Sequence, residues 1–264
     1  MIPLKAAPGE PAWRGDSLFL LRQLILKDFR IRYRNMSLGL FWSVLNPLIM
    51  VLVYTFVFTQ IFKSPIPYFP LFVLSGLIPF NFFALSWMSA TNSILDNTSL
   101  VKRTAVRREL FPVAGVLSNV LHLVLQLLMI VALVLYFGVG FSKHWFWLPV
   151  VWGLELLFII GLGMATAAIN VYVRDTRYIV ESLSLVIFWL VPIFYSFEMV
   201  PQEFADIYQY NPVAALVLAS RRVIFEAQAP HAALMWKLTF VSLTSLALGI
   251  FLFRRLKRGF YVHL

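Results

Sequence analysis

Long apolar stretches separated by short charged segments constrain this chain more than any other feature. Candidate spans cover about 38–62, 71–95, 113–138, 147–171, 180–196 and 232–253. A helix needs ~20 apolar residues to cross ~30 Å of hydrocarbon, and most of these stretches are long enough. The fifth is short and interrupted by Pro192, which predicts a broken crossing or one followed by a re-entrant piece. Basic residues fall mostly on alternate sides of the spans. Residues 1–37 carry seven Lys and Arg, 96–112 four, 172–179 two and 254–264 four, so that 17 lie on one face. The other face has 5: Lys63, Lys143, Arg221, Arg222 and Lys237. Cytoplasmic loops carry the excess of basic residues, so both termini are expected in the cytoplasm, in agreement with an even number of crossings.

The fold class read from this pattern is an all-α integral membrane protein. Six transmembrane helices occupy 37–253, after a loose tail over 1–16 and an amphipathic interface helix over 17–36, with a basic cytoplasmic C-terminus over 254–264. The tail has no apolar core and does not read as a signal peptide. A hydrophobic fraction of 61% against 13% charged residues is far from the usage of a soluble domain. The net charge of +10 sits in cytoplasmic flanks, where insertion topology and anionic lipid account for it without nucleic acid. The absence of cysteine excludes disulfides and thiolate chemistry.

In the interface helix, Ser17 can act as a cap. Leu18, Leu21, Ile25 and Phe29 share one face, while Lys27, Arg30 and Arg34 gather with Gln23 on another. Such a helix lies in the membrane surface. Asn46-Pro47 predicts a kink in the first span. The loop 96–112 interleaves Lys102, Arg103, Arg107, Arg108 and Glu109 with apolar residues. Between spans five and six lie about 35 residues in which Pro201 can start one short helix. Asn211-Pro212 reads as an N-cap with Pro at the first helical position, opening a second. The stretch 213–225 is too short to span and too apolar to be solvated. It reads either as a helix dipping into the outer leaflet or pore mouth, or as one lying on the lipid surface.

No glycine precedes a lysine, so no phosphate-binding P-loop is present. His122, His144, His231 and His263 are scattered without metal-ligand spacing, and there is no G-x-S-x-G elbow. Glu155 is the carboxylate within a span, a place where charge is expensive. Its reading is a hydrogen-bonding or helix-contact role. With one Glu and one His inside spans, no proton relay is evident, and energy for any pumping is expected from another polypeptide. Aromatic residues make up 16% of the chain. Tyr54, Phe58 and Phe62 form a stripe at four-residue spacing, and Phe188, Trp189, Phe194 and Tyr195 cluster in the fifth span. Packing and interface belts account for most aromatics. Two stripes lining a conduit are the alternative, since ring faces pack on sugar C–H faces without demanding one registry.

Residues 28–48, from Asp28-Phe29-Arg30 through Gly39-Leu40-Phe41-Trp42 to Asn46-Pro47-Leu48, closely resemble the opening of ABC-type polysaccharide and polyol-phosphate exporter permeases (the O-antigen, capsule and teichoic-acid exporters). Ser99-Leu100-Val101-Lys102-Arg103 and Arg108-Glu109-Leu110-Phe111-Pro112 resemble the family's cytoplasmic coupling loop. Val173 to Arg177 resembles its second cytoplasmic turn, Val191 to Tyr195 the end of its fifth span, and Asn211-Pro212 through Arg221 its last external helix. One departure is visible: Val106-Arg107 stands where the family usually has Phe-Pro.

The resemblance implies a homodimer of this chain, without enzymatic activity of its own, working with two copies of a separate P-loop ATPase that binds ATP and Mg. The pair would move a lipid-linked polysaccharide, of O-antigen type in the first instance and of teichoic-acid or capsule type as the alternative, across a bacterial inner membrane. It assigns ATPase coupling to Leu100, Val101, Lys102, Arg103, Arg107, Arg108 and Glu109. Lys27, Arg30, Arg32 and Arg34 would meet lipid head groups, and Tyr54, Phe58, Phe62, Phe188, Trp189 and Tyr195 would line a glycan conduit. Two other classes compete: an ion-coupled secondary transporter or lipid flippase, which requires Glu155, and a membrane-embedded glycan-processing enzyme, which requires acidic groups with catalytic spacing.

Overall fold

The computed structural model describes residues 16–33, 41–103, 106–204, 208 and 210–264. Among them every regular element is helical. Helix α1 (Ser17–Tyr33) is followed by α2 (Trp42–Phe56), which continues as one π-helical turn, Val57–Ile61. Then come α3 (Phe69–Asp96), the short α4 (Thr98–Arg103), α5 (Leu110–Leu117) and α6 (Val120–Phe137). Helices α7 (Leu148–Tyr172), α8 (Thr176–Leu190), α9 (Pro212–Ile224), α10 (Ala232–Leu256) and α11 (Phe260–His263) complete the chain.

Among the described residues five helical stretches are long and apolar enough to cross a bilayer: Trp42–Ile61, Phe69–Asp96, Leu110–Phe137, Lys143–Tyr172 and Ala232–His263. The expected fifth crossing differs. Helix α8 has 15 residues, roughly 22 Å at 1.5 Å per residue, and ends where Val191 turns extended ahead of Pro192. Proline removes an N–H and disfavours helix in the residue before it, so the break follows from local sequence. Pro47, by contrast, is accommodated inside α2.

Helix α3 is the centre of the bundle, packed on α2, α5, α6, α7, α8 and α9. Small and hydroxyl residues mark the closest approaches between helices, because helices in lipid gain little from apolar contact alone and need close backbone approach or hydrogen bonds. The Thr91 and Thr166 hydroxyls share a hydrogen bond of 2.7 Å between α3 and α7, and Asn170 Nδ2 donates to the Thr91 carbonyl at 3.0 Å. Between α7 and α10, Ser242 and Ser245 donate to the carbonyls of Leu154 and Phe158 at 2.8 and 2.9 Å. There Gly161 and Gly249 face one another so closely that a Cβ on either would overlap the other helix's backbone. Gly138 closes α6 in the left-handed conformation (φ 65°), which glycine adopts without a Cβ penalty.

Two expected faces are placed differently or more fully than the sequence suggested. In α1 the buried anchor is Leu24, flanked by half-buried Leu20, Leu21 and Ile25, whereas Leu18 is 72% exposed. The helix packs on α5, and this protein contact sets its rotation. Helix α9 is neither solvated nor spread on a surface. Val213 to Val217, Ala219 to Arg221, Val223 and Ile224 include its buried positions, and it packs on α3, α7 and α10.

Candidate functional site

At one end of the bundle the loop after α3 is a folded platform. Val101, on α4, and Val106 are buried beside Phe111, Leu24 and Val171, with Leu100 packed against the same cluster. These apolar residues tie the loop down and leave Lys102 and Arg107 exposed. The last two positions of the expected coupling set turn inward to the C-terminal segment. Glu109 accepts a hydrogen bond from Lys257 Nζ at 2.7 Å. Arg108 Nη1 donates to the Lys257 carbonyl at 2.8 Å, with its guanidinium 4.2 Å from the Tyr261 ring centroid. Burial pulls the Glu109 carboxyl upward, but the bond from Lys257 and the charges of Lys257 and Arg254 outweigh it and hold it below its ordinary range. Tyr172 adds a third tie, donating to the Leu256 carbonyl at 2.7 Å.

Sequence reading saw 254–264 only as a basic flank. Its role as a partner of the loop was not legible because Lys257 and Glu109 are 148 residues apart. The available signal was the acid itself, a Glu directly after Arg107-Arg108 in a loop with four basic residues.

The interface-helix set also divides. Lys27 donates to Asn97 Oδ1, at the start of α4, and pairs with Asp28 at 3.5 Å. It therefore joins α1 to the platform. Arg30 is exposed. The side chains of Arg32 and Arg103, and all of Arg34, lie outside the described residues, as does the tail over 1–15. Beside the platform a cavity of about 580 Å³ opens between Thr98 and the α7–α8 turn, lined by Arg174, Asp175, Arg177 and Tyr178.

At the other end, the two aromatic stripes meet. Phe194, 3% exposed, has its ring centroid 4.2 Å from Tyr54, 5.6 Å from Phe58 and 5.4 Å from Phe188. Phe58 also stacks on Phe69 at 5.6 Å, and Phe188 reaches Phe80 of α3 at 5.2 Å. The Tyr195 and Tyr208 hydroxyls share a hydrogen bond of 2.9 Å. Phe62 and Trp189 sit on the rim, 68% and 60% exposed. The residue that joins the stripes is thus Phe194. The break after α8 turns it inward, which helical spacing cannot predict.

The structure also brings Arg221 to this end, where its guanidinium is bonded to the carbonyls of Pro192 and Ile193. Asn211 caps α9 as expected, its Oδ1 accepting from the Val213 and Ala214 N–H groups at 3.0 and 3.4 Å. Glu155 is fully buried in α7, and neither carboxyl oxygen has a hydrogen-bond partner among the described residues. Of the two expected roles, hydrogen bonding or helix contact, its burial within α7 fits the second.

A helical membrane protein with a folded basic platform at one end and an aromatic cluster at the other is the class these features define. Residues 20–225 match the ABC-2 type transporter family, and the chain belongs to that family. It is 30% identical over 205 residues to the O-antigen export system permease protein RfbA of Klebsiella pneumoniae, covering 77% of this chain and 79% of that protein. It is 31% identical over 240 residues to the RfbA permease of Myxococcus xanthus, covering 89% and 92%. It is also 23% identical over 234 residues to the polysialic acid transport protein KpsM of Escherichia coli, covering 88% and 91%.

Proposed function

We propose that this chain is the membrane-embedded permease of an ABC-2 exporter that carries a lipid-linked polysaccharide, of O-antigen type, out of the cytoplasm. The observation that carries the reading is the family match over residues 20–225, together with relatives named as O-antigen export permeases that align along nearly the whole chain. The missing P-loop is consistent with ATP and Mg bound on a separate subunit. The platform of α4 and the following turn offers Lys102 and Arg107 as exposed contacts for that ATPase, with Val101 and Val106 holding them in place. Two copies of this chain would pair with two ATPase subunits.

Helix α2 supports the pairing reading. Leu48, Ile49, Met50, Leu52, Val53 and Phe56 all lie exposed on it, more apolar surface than one copy covers. Closure of the ATPase subunits would shift the permease between states with different openings. The ring faces of Tyr54, Phe58 and Phe188 would then offer apolar surface to a sliding glycan. We further propose that α8 with the segment after it completes a sixth crossing, that both termini are cytoplasmic, and that Arg30 meets lipid phosphate at the inner surface.

The test is co-expression with the proteins encoded beside this chain and purification in mild detergent. A P-loop ATPase bound in equal stoichiometry, hydrolysing ATP in response to lipid-linked glycan, is the expected result. A chain that purifies alone and transports in vesicles without ATP overturns the reading. Charge reversal at Lys102 and Arg107 together should lower ATPase retention at least ten-fold while leaving the permease monodisperse. Full retention would place the docking surface elsewhere.

A further inference from the structure

We propose that Arg221 is the positioning residue of the outer aromatic cluster: by holding the broken end of α8 against α9 and α3, it places Phe194 between Tyr54 and Phe58. The inference rests on the conduit reading above for its functional meaning, though not for its geometry. Helix α8 stops at Leu190, and Val191 is extended (φ −98°, ψ 133°). Val191 to Phe194 are nevertheless buried. The carbonyls of Pro192 and Ile193 are thus outside any helix and shielded from water, and a buried carbonyl needs a donor. Arg221 supplies both, with Nη1 at 2.6 Å from the Pro192 oxygen and Nη2 at 2.9 Å from that of Ile193. The planar guanidinium can serve two acceptors at once, which an ammonium does with far less geometric control.

Two further contacts fix the guanidinium. Its Cζ lies 3.8 Å from the centroid of the Phe72 ring of α3. It also occupies the space left by Gly76, where an added Cβ would come 2.8 Å from Arg221 Nη2, 3.1 Å from Val217 Cγ1 and 3.5 Å from Ile193 Cα. Helix α3, helix α9 and the broken segment therefore converge on a position without a side chain. Arg221 itself is 3% exposed. A buried cation here also runs against the charge bias that places basic residues on the cytoplasmic side, so topology does not account for it. The residue after the clamped carbonyl is Phe194, and Tyr195 follows with its hydroxyl on Tyr208. Moving Arg221 moves the residues that close the cluster.

The absence of cysteine allows a direct test in membranes containing the complex with its ATPase. A Tyr54→Cys/Phe194→Cys pair reports the clamped geometry through a short bis-thiosulfonate cross-linker. A Thr91→Cys/Thr166→Cys pair, at the α3–α7 seam, is the control. Arg221→Gln should lower cross-linking of the first pair at least five-fold, with Arg221→Lys intermediate. Gly76→Ala, which keeps the charge, should lower it at least two-fold. The control pair should change by less than two-fold throughout.

Equal cross-linking of the first pair in all backgrounds, or parallel loss at both pairs, overturns the proposal. If Arg221→Gln does not accumulate, Gly76→Ala and Arg221→Lys decide by the same criterion. Because the readout needs no transport, failure of the conduit reading shows separately. In that case the first pair would loosen while polymer export continued unchanged.

Discussion

Helices α2 and α3 lie against one another and are almost equally apolar, yet α3 is largely buried inside the bundle whereas on α2 the buried residues are Ser43, Pro47 and Val51. The difference lies in what surrounds each helix: α3 packs on α2, α5, α6, α7, α8 and α9, whereas α2 packs chiefly on α3 and α6. Ser75, Gly76, Ser86, Ala90, Thr91 and Ser93 allow close approach at some of these contacts, while Phe72, Phe80, Phe83 and Trp87 fill others. Large residues on α2 project outward. Hydropathy thus states that a helix belongs in the membrane, and packing of the whole bundle decides whether protein surrounds it.

Truncation on the two helices breaks or upholds this comparison most directly. Phe83→Ala on α3, where the ring is 1% exposed, should destabilise the permease by about 3–5 kcal/mol. Leu52→Ala on α2 should change it by no more than ~0.5 kcal/mol, as for other outward positions. Thermal unfolding of the isolated permease in detergent gives both numbers. A large loss for Leu52→Ala in the dissociated chain would show that α2 is covered within one copy. A loss seen only in the paired state would identify its partner as a second copy.

Gly163→Leu tests the close approach of α3 and α7, since a Cβ at Gly163 collides with that of Ala90. Overpacking there should cost about 1–3 kcal/mol. The same unfolding assay checks it, with Gly153→Leu as a control because nothing lies within 4 Å of a Cβ at that site.

Glu155 belongs to the buried side of the comparison and carries the opposite sign. An unpartnered buried carboxyl is a liability, so Glu155→Leu should stabilise the protein by about 1–3 kcal/mol and leave ATP-driven export intact. Loss of export without loss of stability would favour the ion-coupled class instead.

The smallest effect is expected at the platform end of the bundle. Glu109 is held below its ordinary range, so the folded protein binds fewer protons than the unfolded chain in acid. The contribution is fully present above the unfolded carboxylate pKa of ~4.3 and is lost as pH falls through the lower folded value. Both partners are partly exposed, at 39% and 27%, so the pair contributes under about 1 kcal/mol. Glu109→Gln should remove that much at neutral pH and flatten the acid limb of stability against pH. An unchanged acid limb would show that the pair does not form in solution.

Local chemistry made much of this legible. The crossings at Phe69–Asp96 and Leu148–Tyr172 fall within two residues of their expected limits, because a run of ~20 apolar residues has no other stable place. The break at Pro192 and the Asn211 cap were readable for the same reason: each depends on a residue and its immediate neighbours. The aromatic stripes were visible as stripes. Their meeting at Phe194 was not, because it depends on how an irregular segment folds back. The rotation of α1 about Leu24 was hidden similarly, since lipid and α5 offer an apolar face equivalent chemistry.

By itself, then, the sequence determined the solvent this protein folds in, the helical class, the places where helices stop, and the family to which it belongs. All of these rest on composition and on interactions spanning a few residues. The tertiary structure alone decided that α3 is surrounded while α2 is not, that Lys257 pairs with Glu109, and that Arg221 is the donor for a broken helix end. Each of these is a choice among chemically equivalent partners far apart in the chain, and only simultaneous packing of all the helices resolves it.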